Sequence, residues 1–460
     1  MTSHAKRLFG LALSLLAVSG AWAGRSAMAA LQAPQPAPAA APEPAAPPAG
    51  QTTKLSPDIP YDVVLTGSTL EAAQRDFDQF AWEMFVALNW TVDASGKVDP
   101  QKVIGSAPSG DNPTVWETWK EAGGIIRAGG KPPTPWGAPP EIPPVCRFAG
   151  GPSKVIAQAG KVPLPLLVQS EQAFKMGPLI DQNGVYARYE IVVDQPMFDY
   201  IVANQLYSRA GQQSFKGQVE FPFSDLATKT LGSIMVKAAW KILGAGDDPS
   251  RFHVSEALVY TPASENPPVQ ESCAKEKLGL VGLHIVARTK SAPQWIWTTF
   301  EQVDNAPDYP VQNAASHYNF YAPGSGAPIN TVAPQPWDPA KKGPPTQVAR
   351  LSALTAATQT INSQYQALLA AVNPRSVWQY YELINTQWPA SPNDPRNPLG
   401  RPTPPFLANT TMETYIQGAL VDGKVELVPQ GTSSCMNCHN NATLTTAAPS
   451  GFSYLLSQAQ

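Results

Sequence analysis

Apolar residues recur at helical spacing over 69–90. Phe77, Phe80, Met84, Ala87 and Leu88 fall at i, i+3, i+7, i+10 and i+11, one face of a helix that opens at Thr69 with Glu71 close behind. Leu354–Val372 predicts a second amphipathic helix, with Leu354, Ile361, Tyr365, Leu368 and Leu369 apolar. Between them the pattern changes to short apolar or alternating runs: Tyr189–Val193, Ile234–Leu243, Phe252–Tyr260, Leu278–Thr289 and Gln294–Val303. "KSAPQ" joins the last two as a hairpin loop, and Val377–Ile384 reads as a further strand. The expectation is an α+β fold, a mainly antiparallel sheet with packed helices and the Cys-rich motif at its C-terminal end. The sequence has no internal repeat.

The N-terminal pattern differs. Lys6 and Arg7 precede the apolar run Leu8–Ala23, which is glycine-interrupted and short of the roughly 20 apolar residues of a membrane span. It ends in Ala21-Trp22-Ala23, a small-x-small cleavage pattern, with a second possible cut after Ala29. Residues 1–23 therefore predict an export signal and a periplasmic protein. Residues 24–55, almost wholly Ala and Pro over 31–50, predict an extended linker, and 56–460 a single globular domain. No later stretch is apolar enough to span a bilayer, so no transmembrane span is expected in the mature chain.

Composition narrows the partners. The formal charge is −3 with no basic run, which leaves nucleic acid without the clustered Lys and Arg it needs. With 43% hydrophobic residues and 12 Trp the chain can bury a large core. Proline, 49 of 460 residues, is about twice as frequent as usual and marks long loops at 131–144 and 389–405.

The four cysteines carry the chemistry. Cys146 and Cys273 could pair in an oxidising compartment, but spacing alone does not bring their Cα atoms within reach. Cys435, Cys438 and His439 form C-x-x-C-H. Thiols at i and i+3 can take the two vinyl groups of one haem, and the next imidazole can turn under the iron. A thioredoxin-like reading needs a βαβ completion that the following text does not offer, and a zinc site needs a fourth ligand that is not nearby. One covalent haem c is the expected cofactor, with Cys435, Cys438 and His439 binding it. Neither Met nor His follows His439, so the residues before the motif must build the pocket and haem and body should fold as one unit.

The other side of the iron is left open. In "GLVGLHIVART" alternation puts Gly282, His284, Val286 and Arg288 on one face. His284 is the leading distal-side candidate, with small Gly282 leaving room for a flat ring and Trp295 and Trp297 as an aromatic wall. Met412, on a predicted helix in "NTTMETYIQ", is the thioether candidate, and His317 and His253 follow; an open site is the other possibility. Glu301 and Asp304 are acid/base candidates that more commonly sit solvated or capping. The tryptophans at 116, 119, 240, 295 and 297 read first as core. Nothing resembles G-x-S-x-G, a P-loop or the Rossmann glycines.

The motif with an export signal resembles a c-type cytochrome. More specifically, "FAWEMFVALNW" (80–90), "TVWETWK" (114–120), "MVKAAWKIL" (235–243), the block 279–307 and "NTTMETYIQ…SCMNCH" (409–439) resemble large bacterial proteins described as "cytochrome c family". The resemblance implies Cys435 and Cys438 as thioether anchors and His439 as proximal iron ligand. It implies electron transfer by Fe(III)/Fe(II) cycling with a redox partner protein or a small-molecule donor or acceptor. Placing the motif after a β-rich body is also similar in layout to haem oxidoreductases that act on small nitrogen compounds. The alternative is therefore a haem oxidoreductase with an open distal site acting on a small molecule, and whether the chain is an enzyme stays undecided.

Overall fold

The computed structural model describes residues 54–93, 97–105, 113–147, 154–157, 177–261, 263–265, 268–312, 317–333, 345–426 and 434–460. The expected signal, 1–23, and the linker as far as residue 53 lie outside them.

Thr69 caps the first helix as its sequence suggests, its side chain accepting from the Ala72 amide, and α1 runs Leu70–Leu88. The predicted face is buried, but so is most of the rest of the helix, Trp82 and Phe85 included. The reason is that α1 is covered twice. After the short helices α2 (Ala122–Ile125), α3 (Gln195–Ala203) and α4 (Arg209–Ser214), the other long helix, α5 (Ala356–Val372), packs against both α1 and the sheet, where Asn362 bonds the Leu383 backbone. Trp82 stacks on Tyr365 at 4.8 Å, meets Phe300 edge-on at 5.1 Å and donates from Nε1 to Asn362. Aromatic pairs of this kind contribute about 0.5–1.5 kcal/mol each beyond area burial. Leu354 falls just outside α5, whose cap is Thr355.

Among the described residues nine strands form one sheet. They are β1 (Lys120–Glu121), β2 (Val155–Ala157), β3 (Arg188–Val193), β4 (Ile234–Ile242), β5 (Val254–Thr261), β6 (Ser272–Ala287), β7 (Ile296–Gln302), β8 (Tyr381–Pro389) and β9 (Pro402–Thr403). The main order is β1-β3-β4-β6-β7-β8-β9, antiparallel throughout. The long strand β6 also pairs β5, which takes β2 as a parallel neighbour. The loop after Thr289 turns β6 into β7 with Ala287 opposite Ile296, the hairpin the sequence predicts. The strand expected over 377–384 is displaced: Val377–Tyr380 forms a 3-10 turn, and the strand proper begins at Tyr381. The fold is thus a mixed one, a large antiparallel sheet with a few helices.

The two sheet faces differ. Val236, Ala238, Leu283, Ile285 and Phe300 point into the cluster under α1 and α5. On the other face Val193, Met235, Val286 and Trp297 join α3 (Gln195–Ala203) and the C-terminal Met436, Leu444, Leu455 and Leu456. Farther along that same face Tyr189 and Ala239 join Phe320, Val348 and Met412 in a separate cluster. Cys146 and Cys273 form a disulfide that closes a sequence separation of 127 residues and ties the turn at Pro144–Cys146 to β6. The described residues, all after Ala46, belong to one compact unit. Among the described residues no helix is long and apolar enough to cross a membrane.

Candidate functional site

The sequence motif becomes a short helix, α6 (Cys435–His439), with Ser434 as its N-cap. Its position is set by Gln387 near the end of β8. The Gln387 Oε1 accepts from the Met436 amide at 2.8 Å, while Nε2 donates to the Pro404 carbonyl at 2.7 Å and to Ser434 Oγ at 3.0 Å. Met436 is fully buried in the cluster over β4, β6 and β7. On the far side the tail returns, and the Tyr454 hydroxyl donates to the Cys438 carbonyl at 2.9 Å.

His439 is oriented by that returning tail. Its Nδ1 lies 2.8 Å from the Phe452 carbonyl oxygen. A carbonyl only accepts, so Nδ1 carries the proton and Nε2 keeps its lone pair free. The backbone at Phe452 is left-handed, φ 70°, a conformation uncommon for a residue with a side chain. Trp297 lies 4.4 Å from the imidazole and Tyr454 5.2 Å, ring centre to ring centre. Burial, with Lys237 and His284 nearby, pushes His439 down to about 4 and holds it neutral at ordinary pH.

Both motif thiols are free while the other two cysteines are bonded to each other. Burial first, and Glu413 with it, pushes the Cys435 thiol well up; burial raises Cys438 as well. That environment suits thiols that become thioethers better than thiolates that bind a bare metal. Among the described residues no three His, Cys, Asp or Glu side chains converge to hold a metal ion. The residues present fit a prosthetic group that asks for two thiols one helical turn apart and a single imidazole.

The rest of the site lies on the sheet, in a polar row between the two apolar clusters of that face. Lys237 on β4, His284 on β6 and Thr299 on β7 are successive cross-strand partners. His284 Nε2 is 3.2 Å from Glu413 Oε1, and the other Glu413 oxygen accepts from the Asn409 amide at 2.9 Å. Burial alone would raise the Glu413 carboxyl, but His284 beside it, with Lys237 and the Asn409 amide, brings it down to about 2. Lys237, His284 and Glu413 all act electrostatically on His439, so the row and the motif are neighbours.

The remaining candidates separate. Gly282 does not leave room for a flat ring: a Cβ there would stand 2.3 Å from Thr411 Oγ1 and 3.1 Å from Met412 Cε, so the 409–413 loop fills that space. Met412 is fully buried in the neighbouring cluster, and its segment is a turn followed by the 3-10 stretch Thr414–Ile416 instead of a helix. Asn409, Thr410 and Thr411 compete for their own backbone there, as the Asn409 Oδ1 accepting from the Thr411 amide and hydroxyl illustrates. His317 is 58% exposed beside Asp247, and His253 is buried against Glu117 at 2.9 Å and stacked on Trp378. Glu301 is buried against Arg350 and Thr410, and Asp304 pairs with Arg251. Trp116 and Trp240 flank the buried ion pairs of Lys154, and Trp295 packs against Phe221. Of the tryptophans named in the sequence reading, only Trp297 is in contact with His439 among the described residues.

Sequence reasoning missed Lys237, Glu413, Gln387 and the Phe452 carbonyl. Lys237 had a signal, a lone charge inside "IMVKAAW". Glu413 sits next to Met412 in a quoted block, but nothing local aims it at residue 284. Comparisons of the chain with protein-family models, with curated proteins and with solved structures return no match.

Proposed function

We propose that the chain is an exported c-type cytochrome that carries one covalent haem and transfers electrons to or from a redox partner protein or a small molecule. Cys435 and Cys438 would hold the group by thioether bonds, with His439 as iron ligand. The observation that carries this reading is the Nδ1–H of His439 donated to the Phe452 carbonyl, which leaves Nε2 as a ligand beside two free thiols. Such a hydrogen bond fixes the ring and raises its basicity as a ligand. Gln387 and Ser434 hold the helix, and Trp297 walls the imidazole. The bound haem supplies a one-electron couple whose potential follows its ligands, hydrogen bonds and burial. The Cys146–Cys273 disulfide supports maturation in an oxidising compartment, as export to the periplasm requires.

The test is production of the full chain in a host competent for haem ligation, followed by haem staining of a denaturing gel. A stained band that disappears in Cys435→Ala/Cys438→Ala is expected. An unstained wild-type band overturns the reading.

One observation favours the second reading, an oxidoreductase with an open distal side. His284 Nε2 is already engaged by the half-buried carboxylate of Glu413. Ferrous spectra with and without carbon monoxide decide between the two. A spectrum that shifts on carbon monoxide marks an open site; an unchanged one marks a closed six-coordinate iron and electron transfer alone.

A further inference from the structure

Lys237 is unusual among the strand residues. It stands in the middle of β4, a strand with neighbours on both edges, between Met235 and Ala239, which are both buried on the same face. Charged residues seldom occupy such positions unless paired. Among the described residues the Lys237 ammonium has no hydrogen-bond acceptor and no ion pair; it lies over the Tyr189 ring, 5.0 Å from its centre. The one carboxylate that acts on it, Glu413, uses one oxygen on His284 and the other on the Asn409 amide. Lys237 is half-buried as a residue. His284, its cross-strand neighbour, adds a ring nitrogen to the same row, and both lie near enough to His439 to act on it electrostatically.

We propose that Lys237, with His284 beside it, is the recognition point for an anionic oxygen group. The shared chemistry is a carboxylate or a small oxyanion accepting a charge-assisted hydrogen bond from Nζ. Two sources present it: a propionate of the covalent haem, or a free small oxyanion. Only the first rests on the reading of the preceding section.

The experiment uses the full-length chain, matured with and without haem ligation, as wild type, Lys237→Met and Lys237→Arg. Circular dichroism and thermal unfolding first establish that each variant is folded. In one arm sodium nitrite is titrated by calorimetry and by quenching of tryptophan fluorescence, with Trp297 beside His439 as a reporter. In the other arm the midpoint potential of the haem-loaded protein is measured. A free oxyanion predicts that nitrite binds wild type and Lys237→Arg but binds Lys237→Met about tenfold more weakly or worse. A propionate predicts no nitrite binding and a midpoint potential lowered in Lys237→Met and kept in Lys237→Arg, because removing a cation near the iron disfavours the ferrous state. If Lys237→Met is folded and neither nitrite affinity nor potential moves, the proposal is overturned. Should Lys237→Met fail to fold, Lys237→Gln, which keeps a donor and removes the charge, replaces it with the same expectations. A chain that binds no haem refutes the cytochrome reading, while the nitrite arm on that same chain still tests Lys237.

Discussion

Phe452 contributes to the site through its carbonyl, and a left-handed backbone aims that carbonyl at the motif histidine. Single residues elsewhere carry ionisable groups into the core with consequences for stability. Burial raises Asp78, on α1, from the ordinary carboxyl range to about 7, against hydrogen bonds from Thr386, Gln74 and Thr358 that oppose it. Burial likewise raises Asp194, the cap of α3, to about 8. In both cases the folded chain holds a proton that the unfolded chain releases near pH 4. The associated stability is complete below the unfolded value and is lost as pH rises through the folded one. Urea unfolding should therefore show stability falling between about pH 4 and pH 8. Asp78→Asn should flatten the part of that fall up to about pH 7 by a few kcal/mol, leaving the Asp194 part in place. An unchanged pH profile in the variant would show that Asp78 is not held protonated.

Among the elements, the loop 409–417 and helix α6 do the positioning. The loop lies on the sheet because Gly282 has no side chain, and it is pinned there by Asn409 to Thr299 and by Thr410 to Glu301. Gly282→Ala forces a Cβ into Thr411 and Met412, and overpacking of this kind destabilises by about 1–3 kcal/mol. A lower thermal midpoint is expected, with Glu413 displaced from His284 in the variant's crystal structure. Helix α6 is five residues long and too short to stand alone, so its anchor matters more than its propensity. Gln387→Leu leaves the Met436 amide and the Pro404 carbonyl without their partner. It should cost about 1–3 kcal/mol in chemical unfolding and lower the ratio of haem to protein after maturation. A full haem complement at unchanged stability would mean that the motif helix is held by its apolar contacts alone.

At the scale of the molecule, the motif belongs to the body. Met436, Leu444, Leu455 and Leu456 lie in one apolar cluster with β3, β4, β6, β7 and α3, and Gln212 bonds both the Leu456 carbonyl and Thr445. The last residue is tied down too, since the Arg209 amide donates to the Gln460 carbonyl. Site and sheet should then unfold together. In guanidinium, haem absorbance and tryptophan fluorescence are expected to report coincident midpoints, the mark of one cooperative unit. Loss of the haem signal at distinctly lower denaturant would instead make the tail a separable module.

Much of the framework was legible in the chain itself. Thr69 and the apolar spacing behind it marked α1, and β-rich runs around "KSAPQ" marked the central hairpin, because caps and periodicity act over a few residues. Cys435, Cys438 and His439 were legible for the same reason: their spacing is a local property. The misjudged pieces depended on distant partners. Val377–Tyr380 turned before its strand could start, the 409–417 segment obeyed its own Asn and Thr side chains, and Gly282 made room for a loop 129 residues later. The amino-acid sequence by itself determined the two long helices, the hairpin and the thiol–thiol–imidazole motif. Only the tertiary structure decided that Cys146 meets Cys273, that a carbonyl from the tail orients His439, and that Lys237, His284 and Glu413 come near it. The physical reason is that a strand's pattern says which face a residue takes, while the neighbour on that face is set by sheet order and by what packs over it.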